Sequence, residues 1–104
     1  MQRGEICWYK FQAPDKKRPV LILTRDSILD YLGEVTVAPV TSTIRNIPSE
    51  VFLSADEGMK NDCVVNLDHI QTVSKKKIGK RLTSLSTIKM KSVSEAIRFA
   101  LDLA

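Results

Sequence analysis

No stretch of this chain approaches the roughly 20 consecutive apolar residues that a membrane-spanning helix needs. No N-terminal segment has the layout of a secretory leader either, so a cytoplasmic protein is expected. Histidine occurs once, as His69 in DHIQTV. Without a second histidine or a carboxylate cluster, spacing supplies no metal site, and His69 is expected to pack or hydrogen-bond. The two cysteines, Cys7 and Cys63, have no CxxC or zinc spacing and read as buried, reduced thiols. There is no glycine-rich phosphate loop and no internal repeat, and nothing calls for a cofactor. Acid is missing from one region: between Ser74 and Ser94 the charged residues are Lys75, Lys76, Lys77, Lys80, Arg81, Lys89 and Lys91. Such an excess suits an anionic partner, nucleic acid or an acidic polypeptide, or else forms a solvated face.

What is present fits one domain spanning residues 1–104, long enough for a single modest core. Glu5 to Phe11 is rich in aromatic and β-branched residues and reads as a strand. Gln12 to Lys17, with Pro14 and Asp15, reads as a turn. Val20 to Thr24 does not alternate, which predicts a strand buried on both faces. Asp26 can cap a helical turn running to Leu32 and ended by Gly33. A third strand is expected over Glu34 to Val40, at a sheet edge or with a bulge, because Pro39 cannot donate to a ladder. Glu50 to Leu53, Cys63 to Asn66 and His69 to Val73 give three more. Six short strands in about 70 residues predict a small antiparallel barrel or curled sheet. Met90, Val93, Ile97, Ala100 and Leu101 recur at helical spacing, so a C-terminal helix capped by Ser86 or Thr87 should pack on it.

Two segments place polar groups where an apolar strand begins or ends, the usual position for working residues on a rigid scaffold. One is Arg18-Pro19-Val20. The other is Ala38-Pro39-Val40-Thr41-Ser42-Thr43, followed by Arg45. Hydroxyls donate hydrogen bonds and arginine grips phosphate oxygens in pairs, although a run of hydroxyls also makes ordinary turns.

RGEICWYKF, KKRPVLILTRD, VTVAPVTSTIRNIPSEVFL, VVNLDHIQTVSKKKIGKRL and the closing helix occur in the order found in a known family. The chain resembles the MazF/PemK-type toxins of bacterial type II toxin–antitoxin systems, which are sequence-specific endoribonucleases (mRNA interferases). RPVLIL followed by APVTSTIR carries most of the likeness. The resemblance implies a mainly β fold with helices (α+β): an SH3-like small antiparallel barrel with a C-terminal α-helix, assembled as a homodimer. It implies metal-independent cleavage of single-stranded RNA, growth inhibition, and neutralisation by a cognate antitoxin, expected here to be acidic. The family's catalytic arginine and threonine match Arg18 and Thr41. The chain departs from relatives in its first loop, where QAPDKK replaces a longer stretch containing Gly-Ser-Glu.

Cleavage of this kind uses the RNA's own 2′-hydroxyl as nucleophile, so the protein must align it and stabilise charge growing on the phosphate. A guanidinium suits the second task, and Arg18 is assigned phosphate stabilisation and not the role of general base. Pro19 restricts the backbone of Arg18 to extended geometry, which lowers the cost of holding its side chain. Lys16, Lys17, Arg25, Ser42, Thr43, Arg45, Lys75, Lys76 and Lys77 are candidates for RNA contacts; the segment Lys75 to Arg81, with Arg25, Lys16 and Lys17, serves equally as a candidate for receiving the antitoxin. Two other readings fit the same fold: a non-enzymatic poison of DNA gyrase, or a plain nucleic-acid-binding barrel. The gyrase poisons carry a tryptophan-containing helical tail, whereas this chain ends ALDLA with its one tryptophan at Trp8.

Overall fold

The computed structural model describes residues 1–10 and 17–104. Phe11 and the predicted turn, Lys16 included, lie outside the described residues apart from Lys17. The chain runs β1 (Glu5–Lys10), β2 (Lys17–Ile22), α1 (Asp26–Leu29), β3 (Glu34–Thr41), β4 (Glu50–Leu53), β5 (Cys63–Asn66), β6 (Gln71–Ser74), β7 (Ile78–Ser84) and α2 (Thr87–Ala100). Every strand pair is antiparallel. The order is β4-β5-β3-β2-β1-β7, with β6 also on β3. The mainly antiparallel class with a C-terminal helix is as expected. The sheet is not hydrogen-bonded into a closed barrel: among the described residues no ladder joins β7 to β4, β5 or β6.

Pro39 is in the central strand β3, not at an edge. The Leu23 N–H donates to the Thr36 carbonyl, and Leu21 pairs with Ala38. Even-numbered residues of β3 therefore turn their backbone groups toward β2, and odd-numbered ones turn away. On that far side β6 pairs with Glu34 to Val37 and β5 with Val40 and Thr41. Pro39 falls in the gap between the two partners, where no donor is needed. The expectation of an edge or bulge is corrected on this ground.

Both faces of β2 are buried, which is why VLIL does not alternate. Ile6, Leu21, Ala38 and Val40 pack with Leu53, Val65, Leu67 and with Val93 and Ala96 of α2. Cys7, Val20, Ile22, Val35 and Val37 pack on the other side with Leu29 and Val73. Helix α1 is shorter than expected, one turn that plugs this second core with Leu29. Ser86 caps α2 by accepting from the Lys89 N–H at 3.1 Å. Leu101 does not join the apolar stripe and is 56% exposed. The helix stops at Ala100 and Asp102 takes a left-handed φ of 55°, which carries the tail off the sheet.

Phe52 and Phe99 are exposed and line a groove of about 390 Å³ between β4 and α2. Ile88, Leu101 and Leu103 are exposed on the same C-terminal region. No helix is long and apolar enough to cross a membrane.

Candidate active site

Strand register brings the two singled-out segments together. Val20 pairs with Pro39, Leu21 with Ala38 and Ile22 with Val37, each pair summing to 59. Extending that register two residues outward sets Arg18 across from Thr41. Both line one cleft of about 350 Å³, with Trp8, Pro19, Val40 and Ser42 beside them. Trp8 pairs with Pro19, and Tyr9 with Arg18, so β1 fixes the other flank of the arginine. The side chain of Arg18 is exposed, whereas Val20, two residues along, is fully buried. A guanidinium thus projects from a backbone held by the core.

Thr41 is half-buried, and its Oγ1 accepts from the Thr43 N–H at 3.1 Å. This small turn uses an acceptor position and leaves the hydroxyl proton for another acceptor. The APVTST run is therefore both a turn and a presenter of hydroxyl groups.

The lining also includes a loop from Met59 to Cys63, bringing Lys60, Asn61 and Asp62 into the cleft. A single 3₁₀ turn, Ala55–Glu57, aims this loop. Ser54 and Glu57 form a capping box: the Ser54 N–H donates to Glu57 Oε1 at 2.7 Å, and the Ser54 hydroxyl accepts from the Asp56 N–H at 3.2 Å. Gly58 then takes φ 89°, and a Cβ there would lie 2.8 Å from Thr83 Oγ1. Thr83 donates to the Glu57 carbonyl at 2.8 Å, tying the turn to β7. Backbone conformation and close approach both require glycine at this point.

Cys63 is buried at the base of the loop. Burial, then the Asp62 and Glu57 carboxylates, push its thiol pKa up, so it stays neutral. Cys7 is shifted the same way, by burial first and then by Glu5. Both thiols are free, as expected. Among the described residues no three His, Cys, Asp or Glu side chains converge.

The remaining candidates scatter. Ser42 lines the cleft, and Lys17 and Lys77 line a hollow next to it. Lys75 instead donates to the Leu29 carbonyl at 2.7 Å, closing the end of α1. The Arg45 and Asn46 N–H groups donate to Glu50 Oε1, and the Arg45 guanidinium lies 3.8 Å from Glu50 Oε2. Arg25, Thr43 and Lys76 are exposed outside the cleft lining. His69 is exposed, with Nδ1 at 3.4 Å from Asn66 Nδ2, a hydrogen-bonding role as expected. Sequence reasoning missed Trp8, Lys10, Lys60, Asn61 and Asp62. For Trp8 a signal existed: it alternates out of phase with buried Cys7 and Tyr9. For Lys60 to Asp62 none did, since a tertiary contact 26 residues away sets the loop.

A family model described as PemK-like, MazF-like toxin of type II toxin-antitoxin system matches residues 2–101. The chain is 39% identical over 99 residues to a probable endoribonuclease MazF2 of Mycobacterium tuberculosis, covering 94% of this chain and 95% of that one. Among solved structures, Mycobacterium tuberculosis toxin MazF-mt6 superposes with a TM-score of 0.89 at 36% identity, covering 96% of this chain and 98% of the other. An endoribonuclease in complex with its cognate antitoxin, from a mycobacterial species, superposes with a TM-score of 0.90 at 24% identity, covering 100% and 97%. That last likeness is one of fold.

Proposed function

The chain belongs to the PemK-like, MazF-like toxin family of type II toxin–antitoxin systems, and on that premise we propose that it is an endoribonuclease toxin cutting single-stranded RNA. The observation that carries this reading is the convergence of Arg18 and Thr41 in one cleft by strand register. The 2′-oxygen attacks the adjacent phosphorus and the bond from phosphorus to the 5′-oxygen breaks, leaving a 2′,3′-cyclic phosphate. The proton of the 2′-hydroxyl passes to a base, and the departing 5′-oxygen takes one from solvent. Arg18 supplies a planar pair of donors to the phosphate oxygens as their charge grows. The Thr41 hydroxyl donates to another of them.

Asp62 is the carboxylate among the described residues of the cleft lining that also holds Arg18 and Thr41, and is the group suited to receive the 2′-proton. Metal independence is supported by the donor chemistry of that lining: two hydroxyls, one amide and one carboxylate beside the cations Arg18 and Lys60 are a poor set for a divalent cation. Single-strand preference follows because duplex RNA hides most base edges from side chains. The exposed Phe52, Ile88 and Phe99 supply apolar area for a homodimer, and the cations on β7 and before it suit a separate acidic antitoxin.

The purified protein is incubated with a long single-stranded RNA in the presence of chelator, and the ends are mapped. Cuts leaving cyclic phosphate and 5′-hydroxyl ends are expected, at sites protected when annealed into a perfect duplex. Chelator-abolished cutting, or 5′-phosphate ends, would overturn the mechanism. Light scattering at micromolar concentration checks the dimer: a monomer mass rejects it.

A further inference from the structure

Strand β3 ends in the cleft at Thr41, and β4 begins at Glu50. Between them residues 42–48 are all exposed, Ile44 and Ile47 included, so the core does not set the path of this loop. Hydrogen bonds do. At its start the Thr43 N–H donates to Thr41 Oγ1. At its end the Glu50 N–H donates to the Ile47 carbonyl at 3.0 Å, and the Ser49 hydroxyl donates to Asp68 Oδ2 at 2.6 Å. The middle is held by one side chain: the Arg45 and Asn46 N–H groups converge on Glu50 Oε1 at 2.9 and 3.1 Å. Successive N–H groups turned to one side make the concave pair with which backbones bind anions. Asn46 completes it with a left-handed φ of 57°, which asparagine tolerates better than most residues.

Glu50 is a firm mount for that contact. Its side chain is 2% exposed. Its backbone pairs with Asn66, and the next residue, Val51, pairs with Val65, whose other partner is Val40 of β3. The sheet thus ties the foot of Glu50 to the strand that carries Thr41. Bonds to an ionised acceptor are roughly twice as strong as neutral ones, so a carboxylate stiffens the loop more than an amide would. The second oxygen, Oε2, is buried without a hydrogen-bond partner among the described residues, and the Arg45 guanidinium stands off at 3.8 Å. That separation is too long for a hydrogen bond. Glu50 therefore grips the loop backbone and not the arginine side chain.

Resting on the reading of the cleft as an RNA-cleaving site, we propose that Glu50 is a positioning residue for that reaction and acts through Thr41. Glu50 holds the middle of the loop, and the loop holds the Thr43 N–H in place. That N–H fills an acceptor position on the Thr41 hydroxyl and leaves its proton for a phosphate oxygen. A β-branched side chain has few χ1 wells, so a single bond is enough to select one of them. Without Glu50 the loop shifts, the Thr43 N–H moves with it, and Thr41 turns away from its working rotamer.

Glu50→Ala, checked for native melting, should lower single-turnover cleavage by about 10- to 100-fold, the range for a reacting group misplaced by up to about 1 Å. Binding of an oligonucleotide of the mapped cut sequence, made uncleavable by a 2′-deoxy sugar at the scissile position, should not change. Glu50→Gln, which keeps an oxygen at the same reach, should recover most of the rate. In a Thr41→Ala background Glu50→Ala should cost nothing further, because the group it positions is gone. Amide exchange, which needs no activity, should quicken at Thr43 as well as at Arg45 and Asn46. If Glu50→Ala melts far below wild type, Glu50→Asp, one methylene shorter, takes its place in every measurement. Where the wild-type protein cuts RNA, a full repeat of the loss in the Thr41→Ala background, or unchanged exchange at Thr43, makes Glu50 a staple of the loop alone. Either result overturns the positioning role and leaves the cleft reading standing. If the wild-type protein does not cut RNA at all, the cleft reading itself fails and the positioning role falls with it.

Discussion

The two walls of the cleft are built from different materials. Arg18 and Thr41 stand on central strands whose neighbours Val20 and Val40 are buried and laddered. Displacing them means breaking sheet hydrogen bonds and opening the core. The loop wall, Lys60 to Asp62, hangs from one 3₁₀ turn held by a capping box, a glycine and the Thr83 hydroxyl. Fewer buried contacts restrain it, and such segments open at lower free-energy cost than core strands. On the mechanism proposed above, charge stabilisation falls to the stiff wall, where position must hold to fractions of an ångström, and proton or base contacts to the adjustable one.

The strongest way to break that assignment is Arg18→Lys, which keeps the charge but loses the planar fork. Single-turnover cleavage should fall by about 100- to 1000-fold, comparable to the loss of one preorganised oxyanion donor. RNA binding and melting temperature should change little, because other cations supply most of the ground-state attraction. Thr41→Ala should fall in the same direction with its fold intact. A folded Arg18→Lys protein cutting at the wild-type rate would show that the stiff wall carries no chemistry.

Asp62→Asn tests the loop wall. General acid–base groups contribute about 10²- to 10⁴-fold, and a carboxylate on an exposed loop should sit at the low end, about 100-fold. Its signature would be a slower single-turnover rate at unchanged cut-site preference. If the rate holds and the preferred sequence changes instead, Asp62 reads a base and takes no proton.

The stiff wall was legible in the sequence and the loop wall was not, for a physical reason. A strand buried on both faces announces itself as an unbroken apolar run, so VLIL placed Arg18 at its entrance, and VTVAPVT placed Thr41 at its exit. Pro39 was read as an edge marker because sequence does not reveal that a central strand changes partners halfway. Strand β7 went unrecognised because IGKRLTS has its charges and half-buried residues mixed, with no period to follow. Leu101 continued the helical spacing past the point where the backbone leaves the helix. The aim of the Met59 to Cys63 loop depends on Thr83, which local pattern does not connect to it.

Gly58→Ala separates the walls mechanically. With φ 89° and Thr83 Oγ1 2.8 Å from the added Cβ, the turn must shift or strain. Holding a non-glycine residue in the left-handed region costs on the order of 1–3 kcal/mol. At roughly 4–8 °C per kcal/mol for a domain near this size, calorimetry should show a clear drop in melting temperature. Cleavage should fall by less than in Arg18→Lys, since the arginine's strand is untouched. An unchanged melting temperature would mean that the turn does not depend on this glycine.

The smallest effect concerns what holds the loop wall as acidity rises. The Ser54 backbone N–H donates to the Glu57 carboxylate, and this bond first, with the Lys89 ammonium assisting, holds its pKa below the ordinary value of 4.5 against an opposing contribution from burial. A carboxyl depressed on folding contributes stability that is present above its unfolded pKa and is lost as pH falls through the folded one. The turn should therefore stay secured at neutral pH and loosen only as pH falls below that ordinary value. Glu57→Gln retains a carbonyl acceptor for Ser54 but no charge, so it should melt lower than wild type at pH 6 by a few degrees. As pH falls below that ordinary value the wild-type carboxyl begins to protonate and the gap should narrow. Lys89, joined to Glu57 on the turn and to the Phe52 carbonyl on β4, is the link through which α2 would register this loosening. Melting curves of both proteins across pH 3 to 6 decide the matter: a gap constant over that range would show that the capping box holds the loop by shape alone, with no share from the charge.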